Sequence, residues 1–263
     1  MWSNDPGYPH RPGVSQKLCT EYSTHHITYP QLPRLKSIKD MTMKERNAQR
    51  MSAKRKPAKT ASDNATEGAV EQRSDGLQRC WPQSYLGLSH DMLVYHDTEW
   101  GTPCYDSQAL FERLALEAMQ AGLSWNTIIN KRKAIDAAFH DFDIERVARM
   151  SDEIPDLMQN QAIIRNKRKI EATIHNAQVA LNLGMPFADY IWSFAPDGPR
   201  VNRPKSHEEV PAVTQESIDM SKAMKKAGFK FVGPTTMYAY MQSMGIVNDH
   251  LQGCFRCPEA KTD

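Results

Sequence analysis

A chain of 263 residues has room for one large domain or two small ones, and 40% hydrophobic residues are enough for a sizeable core. The net charge of +2 is small, no apolar run reaches the length of a membrane span, and no secretory segment follows the amino terminus, so a membrane or exported protein is not expected. The five cysteines, Cys19, Cys80, Cys104, Cys254 and Cys257, are an odd set, which favours free thiols or metal ligands over a disulfide framework.

Charge is unevenly spread. Residues 1–78 hold thirteen Lys/Arg and eight Asp/Glu, a net +5, and the other 185 residues carry −3. An acidic polymer would therefore meet the body through local patches. Residues 1–78 are rich in Pro, Ser, Thr, Gln and Lys with no sustained apolar period, the composition of a disordered basic extension. Within it, residues 34–59 carry ten Lys/Arg against two acids. Such a run can hold DNA non-specifically, act as a nuclear import signal, or be a solvated linker.

The body starts at Arg79-Cys80-Trp81, where aromatic and aliphatic residues return. Residues 79–263 are expected to form one all-α domain, because strand signals are nearly absent. Tyr95-His96-Asp97-Thr98-Glu99-Trp100-Gly101 reads as a dense loop-like cluster. Leu110, Phe111, Leu114 and Met119 recur at helical steps, with Asp106 or Ser107 as cap and Gly122 as stop. Two residues break that apolar logic. Glu117 lies among Leu114, Leu116 and Ala118, where a carboxylate needs a cationic or hydrogen-bonding partner. Trp125 lies just past the turn. An acid beside an indole suits a flat, positively charged aromatic ligand, whereas the plain alternative is a solvated acid and a core tryptophan.

A second helix from about Ser124 carries Ile128, Ile129, Ile135 and Phe139, with Lys131-Arg132-Lys133 on its polar side. Short helices are expected at 143–150 and 152–159, then a linker at 160–166 and a helix over 167–183. Helix, tight hairpin and helix with Arg165, Lys167, Arg168 and Lys169 at the turn is a device for gripping a DNA backbone, through helix-start amides and basic side chains. An ordinary corner with a solvated basic face fits the same residues. Further helices are expected over 187–194, from 217 to 227 and from about Pro234, with a loop at 195–213.

His250 and Cys254 stand four apart, the spacing of one helical turn, and Cys80 and His96 sit at the opposite end of the body. Together they make a Cys2His2 set for tetrahedral zinc, with Cys257 as a competing ligand. Buried thiols and a core histidine are the alternative.

These blocks occur in one order: Arg79-Cys80, Tyr95 to Gly101, Leu116-Glu117, Gln120 to Trp125, Ile163-Ile164-Arg165-Asn166, Gly228 to Gly233, Val247 to His250 and Gly253-Cys254. Together they closely resemble the DNA-3-methyladenine glycosylase I family, from Arg79 to about Pro258. The resemblance implies a helix-hairpin-helix glycosylase fold. It implies one structural zinc on Cys80, His96, His250 and Cys254, and a base pocket of Tyr95, Trp100, Glu117 and Trp125. It also implies a monomeric intracellular enzyme that excises 3-methyladenine from double-stranded alkylated DNA and leaves an abasic site. Met92 departs from the family, which often has a second tyrosine three residues before Tyr95. Trp81-Pro82 stands where Gly-Trp is common. Met92 keeps open a zinc-clipped DNA-binding module of the same fold without catalysis.

Overall fold

The computed structural model of the chain describes residues 71–72, 76–80 and 89–258. The basic run 34–59, Cys19 and Trp81-Pro82 lie outside the described residues. The expected boundary between residues 78 and 79 falls inside a short ladder, in which β1 (Glu71–Gln72) pairs antiparallel with β2 (Gln78–Arg79).

From there the described body is mostly helical. Helix α1 spans His90–Thr98 and begins where the Ser89 hydroxyl accepts the Met92 N–H at 3.2 Å. The loop expected over Tyr95 to Gly101 therefore begins only at Glu99. The helix was not visible in the pattern because Asp91, His96 and Asp97 interrupt any apolar stripe; a cap and tertiary contacts stabilise it instead.

Helix α2, Ser107–Gln120, lies at the centre of the described helices. Asp106 caps it, accepting the Ala109 N–H at 2.8 Å. Every residue from Leu110 to Met119 is buried, so the helix is covered on all sides rather than along one stripe. It packs against α3 (Trp125–Ala138), α6 (Lys167–Leu181), α7 (Phe187–Trp192) and α9 (Pro234–Ser243). Gly122, at φ +78°, makes the turn between α2 and α3, and Ser124 caps α3 through the Thr127 N–H. Between α3 and α6 lie the short α4 (Ile144–Val147) and α5 (Ile154–Gln159), with Pro155 inside the first turn of α5.

Helix α8, Gln215–Ala227, starts two residues before the expected Ser217, because Thr214 and Ser217 cap each other reciprocally, and it ends at Gly228. The expected loop 195–213 holds one strand, β3 (Arg200–Val201), parallel to β4 (Val247–Asn248). A pairing this short carries no sequence period and arises from where α9 delivers the chain. No helix among the described residues is long and apolar enough to cross a membrane.

Candidate base pocket and metal centre

A helix buried on every side must find partners for its charged residues, and α2 has three: Glu112, Arg113 and Glu117. Arg132 from α3 donates to Glu112 at 2.6 Å and to both oxygens of Glu99 at 2.9 and 2.8 Å. Arg113 donates to the same Glu99 carboxylate. Burial alone would raise the Glu99 carboxyl, but the two guanidiniums outweigh it and hold it down at about 2. Arg132 is thus only 7% exposed and does not sit on the polar side of its helix, as its neighbours Lys131 and Lys133 suggested. Asp136, one turn on, is pushed up to about 8 by burial and by Glu112.

Glu117 is different. It is 5% exposed, and no ion pair to it is seen among the described residues. Burial pushes its carboxyl up to about 8, while the Arg113 charge one turn away and the Ser243 hydroxyl pull it back. The Tyr95 ring from α1 and the Trp125 ring from α3 sit 5.4 Å apart, tilted by 56°. Tyr95 feels the Glu117 charge, and burial raises its phenol. The Trp125 indole N–H is buried and has no hydrogen-bond partner. A buried donor without an acceptor carries an unmet cost that a ligand atom can relieve. Tyr95 thus links the two expected residues, being under the charge of Glu117 and in ring contact with Trp125.

Trp100, the fourth expected pocket residue, packs against the core cluster that contains Tyr95 and Trp125 and also makes two ring contacts at the cluster around Cys80 and Cys254. They are with His250, at 4.6 Å and nearly perpendicular, and with His96, at 6.2 Å and nearly parallel. Met92 is fully buried in the core, one turn before Tyr95 on α1.

Cys80, His96, His250 and Cys254 form a buried group whose ligand atoms all lie within 4.8 Å of one another, a cluster able to hold a metal ion. Each histidine is oriented from behind. His96 Nδ1 donates to Asp97 Oδ1 at 2.8 Å, which turns Nε2 toward the sulfurs. His250 Nε2 donates to the Trp100 carbonyl at 3.0 Å, which turns Nδ1 toward them. Asp97 is clamped in turn by Arg79, with nitrogens at 2.9 and 2.7 Å from its oxygens. Burial keeps the Cys80 thiol protonated, and hydrogen bonds from Cys80 and the histidines favour a thiolate on Cys254.

His250 and Cys254 do not share a helical turn, as their spacing suggested; they flank a loop in which Gly253 takes φ +90° and the Cys254 N–H bonds the Leu251 carbonyl. Cys257 lies beside the cluster with its thiol directed to the Pro258 carbonyl. Gly101 is required here, at φ +71°, since a Cβ would lie 3.0 Å from His250 Cδ2. Gly101→Ala is expected to destabilise by about 2–3 kcal/mol and to weaken metal retention, measured by thermal melts with metal analysis.

At the hairpin between α5 and α6, Arg165, Lys167 and Arg168 are exposed. Lys169 is not available with them. It is 6% exposed, and its ammonium donates to the Met119 and Ala121 carbonyls at 2.8 and 2.6 Å. It closes the carboxyl end of α2, a role the basic run concealed.

Sequence reasoning missed Arg113, Glu99 and Arg132 as neighbours of the pocket, and Arg79 and Asp97 as supports of the cluster. Charged residues inside an apolar helical pattern were the available signal, and only Glu117 was read that way.

The methyladenine glycosylase family model matches residues 85–257. The chain is 49% identical over 174 residues to DNA-3-methyladenine glycosylase of Haemophilus influenzae, covering 65% of this chain and 94% of that protein. It is 47% identical over 189 residues to DNA-3-methyladenine glycosylase 1 of Escherichia coli, covering 70% and 100%. A solved structure showing 3-methyladenine recognition by 3-methyladenine DNA glycosylase I of Staphylococcus aureus superposes with a TM-score of 0.62 at 36% identity, covering 65% of this chain and 94% of that one. The ordered blocks and these matches agree: the chain belongs to the methyladenine glycosylase family.

Proposed function

We propose that the protein is a DNA repair glycosylase that hydrolyses the N-glycosidic bond of 3-methyladenine in alkylated duplex DNA. The observation that carries this reading is that buried Glu117 acts on Tyr95, whose ring packs against Trp125, and that the indole N–H of Trp125 is buried and unpaired. A base inside the stack is out of reach, so the enzyme flips it out. N3-alkylation gives adenine a positive charge. Facing π-rings favour a cation by roughly 0.5–2 kcal/mol each, and a carboxylate accepts from it in a charge-assisted bond. Normal adenine lacks the charge and gains neither, so selection is electrostatic.

Departure of the alkylated base neutralises it, so the bond needs little acid assistance, and water captures the sugar. Nothing in this scheme uses a lysine nucleophile, and the product is an abasic site without strand cleavage. The decisive assay is chromatography of bases freed from methylated duplex DNA. Binding of damaged DNA without release of 3-methyladenine would instead support a non-catalytic module.

The cluster fits zinc. Bonds of about 2.3 Å to sulfur and about 2.0–2.1 Å to nitrogen at tetrahedral angles put neighbouring donors about 3.5 Å apart. The observed N–S edges are 3.0, 3.5, 3.5 and 3.6 Å. Cys80, His96, His250 and Cys254 would hold one ion with four protein ligands, which makes its contribution structural.

Helix α5, the linker 160–166 and α6 are read as the helix-hairpin-helix. Lys131 supports this turn by donating to the Gln161 and Ala162 carbonyls, and Asn166 caps α6 through the Lys169 N–H. Arg165, Lys167 and Arg168 then face phosphates. Neutralising each is expected to weaken DNA binding and lower the salt slope by about one, with melting unchanged. Lys169→Met is expected to lower stability by about 1–3 kcal/mol instead, which binding isotherms and melts distinguish. The bacterial origin of the relatives favours a cytoplasmic location over a nuclear one. We read the enzyme as a monomer.

A further inference from the structure

We infer that Arg113 is a positioning residue that acts through Glu117, easing ionisation of the pocket carboxyl against its burial, and that Glu99 sets how much of the Arg113 charge reaches it. This rests on the reading of Glu117 as the group that accepts the cationic base.

Arg113 and Glu117 stand four apart on α2, so they share a face one turn apart. Both are 5% exposed. The Arg113 guanidinium lies 5.1 Å over the Tyr95 ring, which places it against a wall of the pocket. One of its nitrogens binds Glu99, and its Nε and Nη1 are buried without partners. Glu99 is also held by Arg132, and Arg132 by Glu112. Glu112, Arg132, Glu99, Arg113 and Glu117 thus form a row of alternating sign, buried except at the half-buried Glu99, that ends at Glu117.

The other groups around Glu117 do not supply its counter-charge. Tyr95 from α1 and Tyr240 from α9 are phenols that burial keeps protonated. Ser243 from α9 offers a neutral hydroxyl and also donates to the Tyr240 carbonyl at 2.9 Å. The Lys169 ammonium from α6 is taken up by the carbonyls at the end of α2. Arg113 is the largest influence opposing the effect of burial on Glu117. Its pairing with Glu99 is incomplete, so part of its field is left for the pocket.

The test is the pH dependence of kcat/KM for 3-methyladenine release from methylated duplex DNA by the full chain. The acid limb of that profile reports the free enzyme. For the wild type it is expected near pH 8, where burial places the Glu117 carboxyl. An opposite charge within a few ångströms shifts a carboxyl by about 1–3 units. Arg113→Met should therefore move the limb up by at least about one unit, an approximately ten-fold loss at pH 7 that is largely recovered at pH 9. Arg113→Lys should keep most of the wild-type position. Glu99→Gln should move the limb down, because Arg113 then acts on Glu117 alone.

Opposite shifts in Arg113→Met and Glu99→Gln support the inference; a purely structural role would scale the whole profile without moving it. Profiles that keep the wild-type limb in both variants overturn it. If Arg113→Met does not fold in thermal melts, Arg113→Lys and Glu99→Gln decide, and an unmoved limb in Glu99→Gln overturns the proposal. Glu117→Gln separates the two levels. Wild-type rates in that variant would sink the reading of Glu117 itself, whereas a strong loss there with unmoved limbs in the others sinks only the role of Arg113.

Discussion

Glu117→Gln is expected to abolish most 3-methyladenine release while making the protein harder to unfold. A hydrogen bond to a charged partner contributes about 1.5–3 kcal/mol, so losing the carboxylate should lower kcat/KM by roughly ten- to a hundred-fold. The deficit should widen with pH. Below pH 8 most wild-type Glu117 is already protonated in the empty pocket, so wild type and variant differ least there.

Stability runs the other way. Burial raises the folded carboxyl from 4.5 to about 8, so between those values the folded state holds a proton that the unfolded chain has released. Stability due to Glu117 is therefore complete below pH 4.5 and is lost progressively as pH rises toward 8. The amide escapes that loss. At pH 9 the variant should exceed the wild type by about 4–5 kcal/mol, against less than about 1 kcal/mol at pH 5. Urea melts at both pH values, beside base-release assays, check both halves. A variant that is inactive and also less stable at pH 9 would show that Glu117 holds the fold rather than the lesion.

Metal removal should have the largest effect on the fold. Cys80 and His250 are 170 positions apart, and a cross-link closing so long a loop stabilises by about 4–5 kcal/mol. Chelation, or Cys80→Ser, is expected to lower Tm by roughly 10–15 °C. Release of 3-methyladenine should fall with it, because His96 and Tyr95 are neighbours on α1. Cys257→Ser should leave Tm and metal content unchanged, since that thiol lies outside the four-atom cluster. Metal analysis showing one ion per wild-type chain, and less than one in Cys80→Ser, completes the check. A melt unaffected by chelator would remove the metal from the account of stability.

What was legible in the chain was what neighbouring residues determine. The apolar steps of α2, the caps at Asp106 and Ser124, and the glycine stops at Gly122 and Gly228 are local signals, and the structure follows them. Glu117 and Trp125 stood out because each broke or closed such a pattern. Features that depend on distant partners were hidden. Arg132 looked solvated because Glu99 lies 33 positions away, and Lys169 looked like a phosphate ligand because the carbonyls it serves lie about fifty positions back. Helix α1 went unseen because its order comes from contacts rather than amphipathicity. The loop at 250–254 kept the spacing of a helical turn without its conformation, since Gly253 allows a backbone that spacing cannot report.

The placement of the four cluster residues also sets an order of events during synthesis. Helix α1 emerges early, but His250 and Cys254 follow the last helix of the body. Until they leave the ribosome, His96 and its neighbour Tyr95 lack their final anchor. The helix that carries Tyr95 and His96 is therefore anchored by residues that come after α9 in the chain. A chain cut before residue 250 would keep Glu117 and Trp125 but lack two of the four donors that cluster with His96, the residue next to Tyr95.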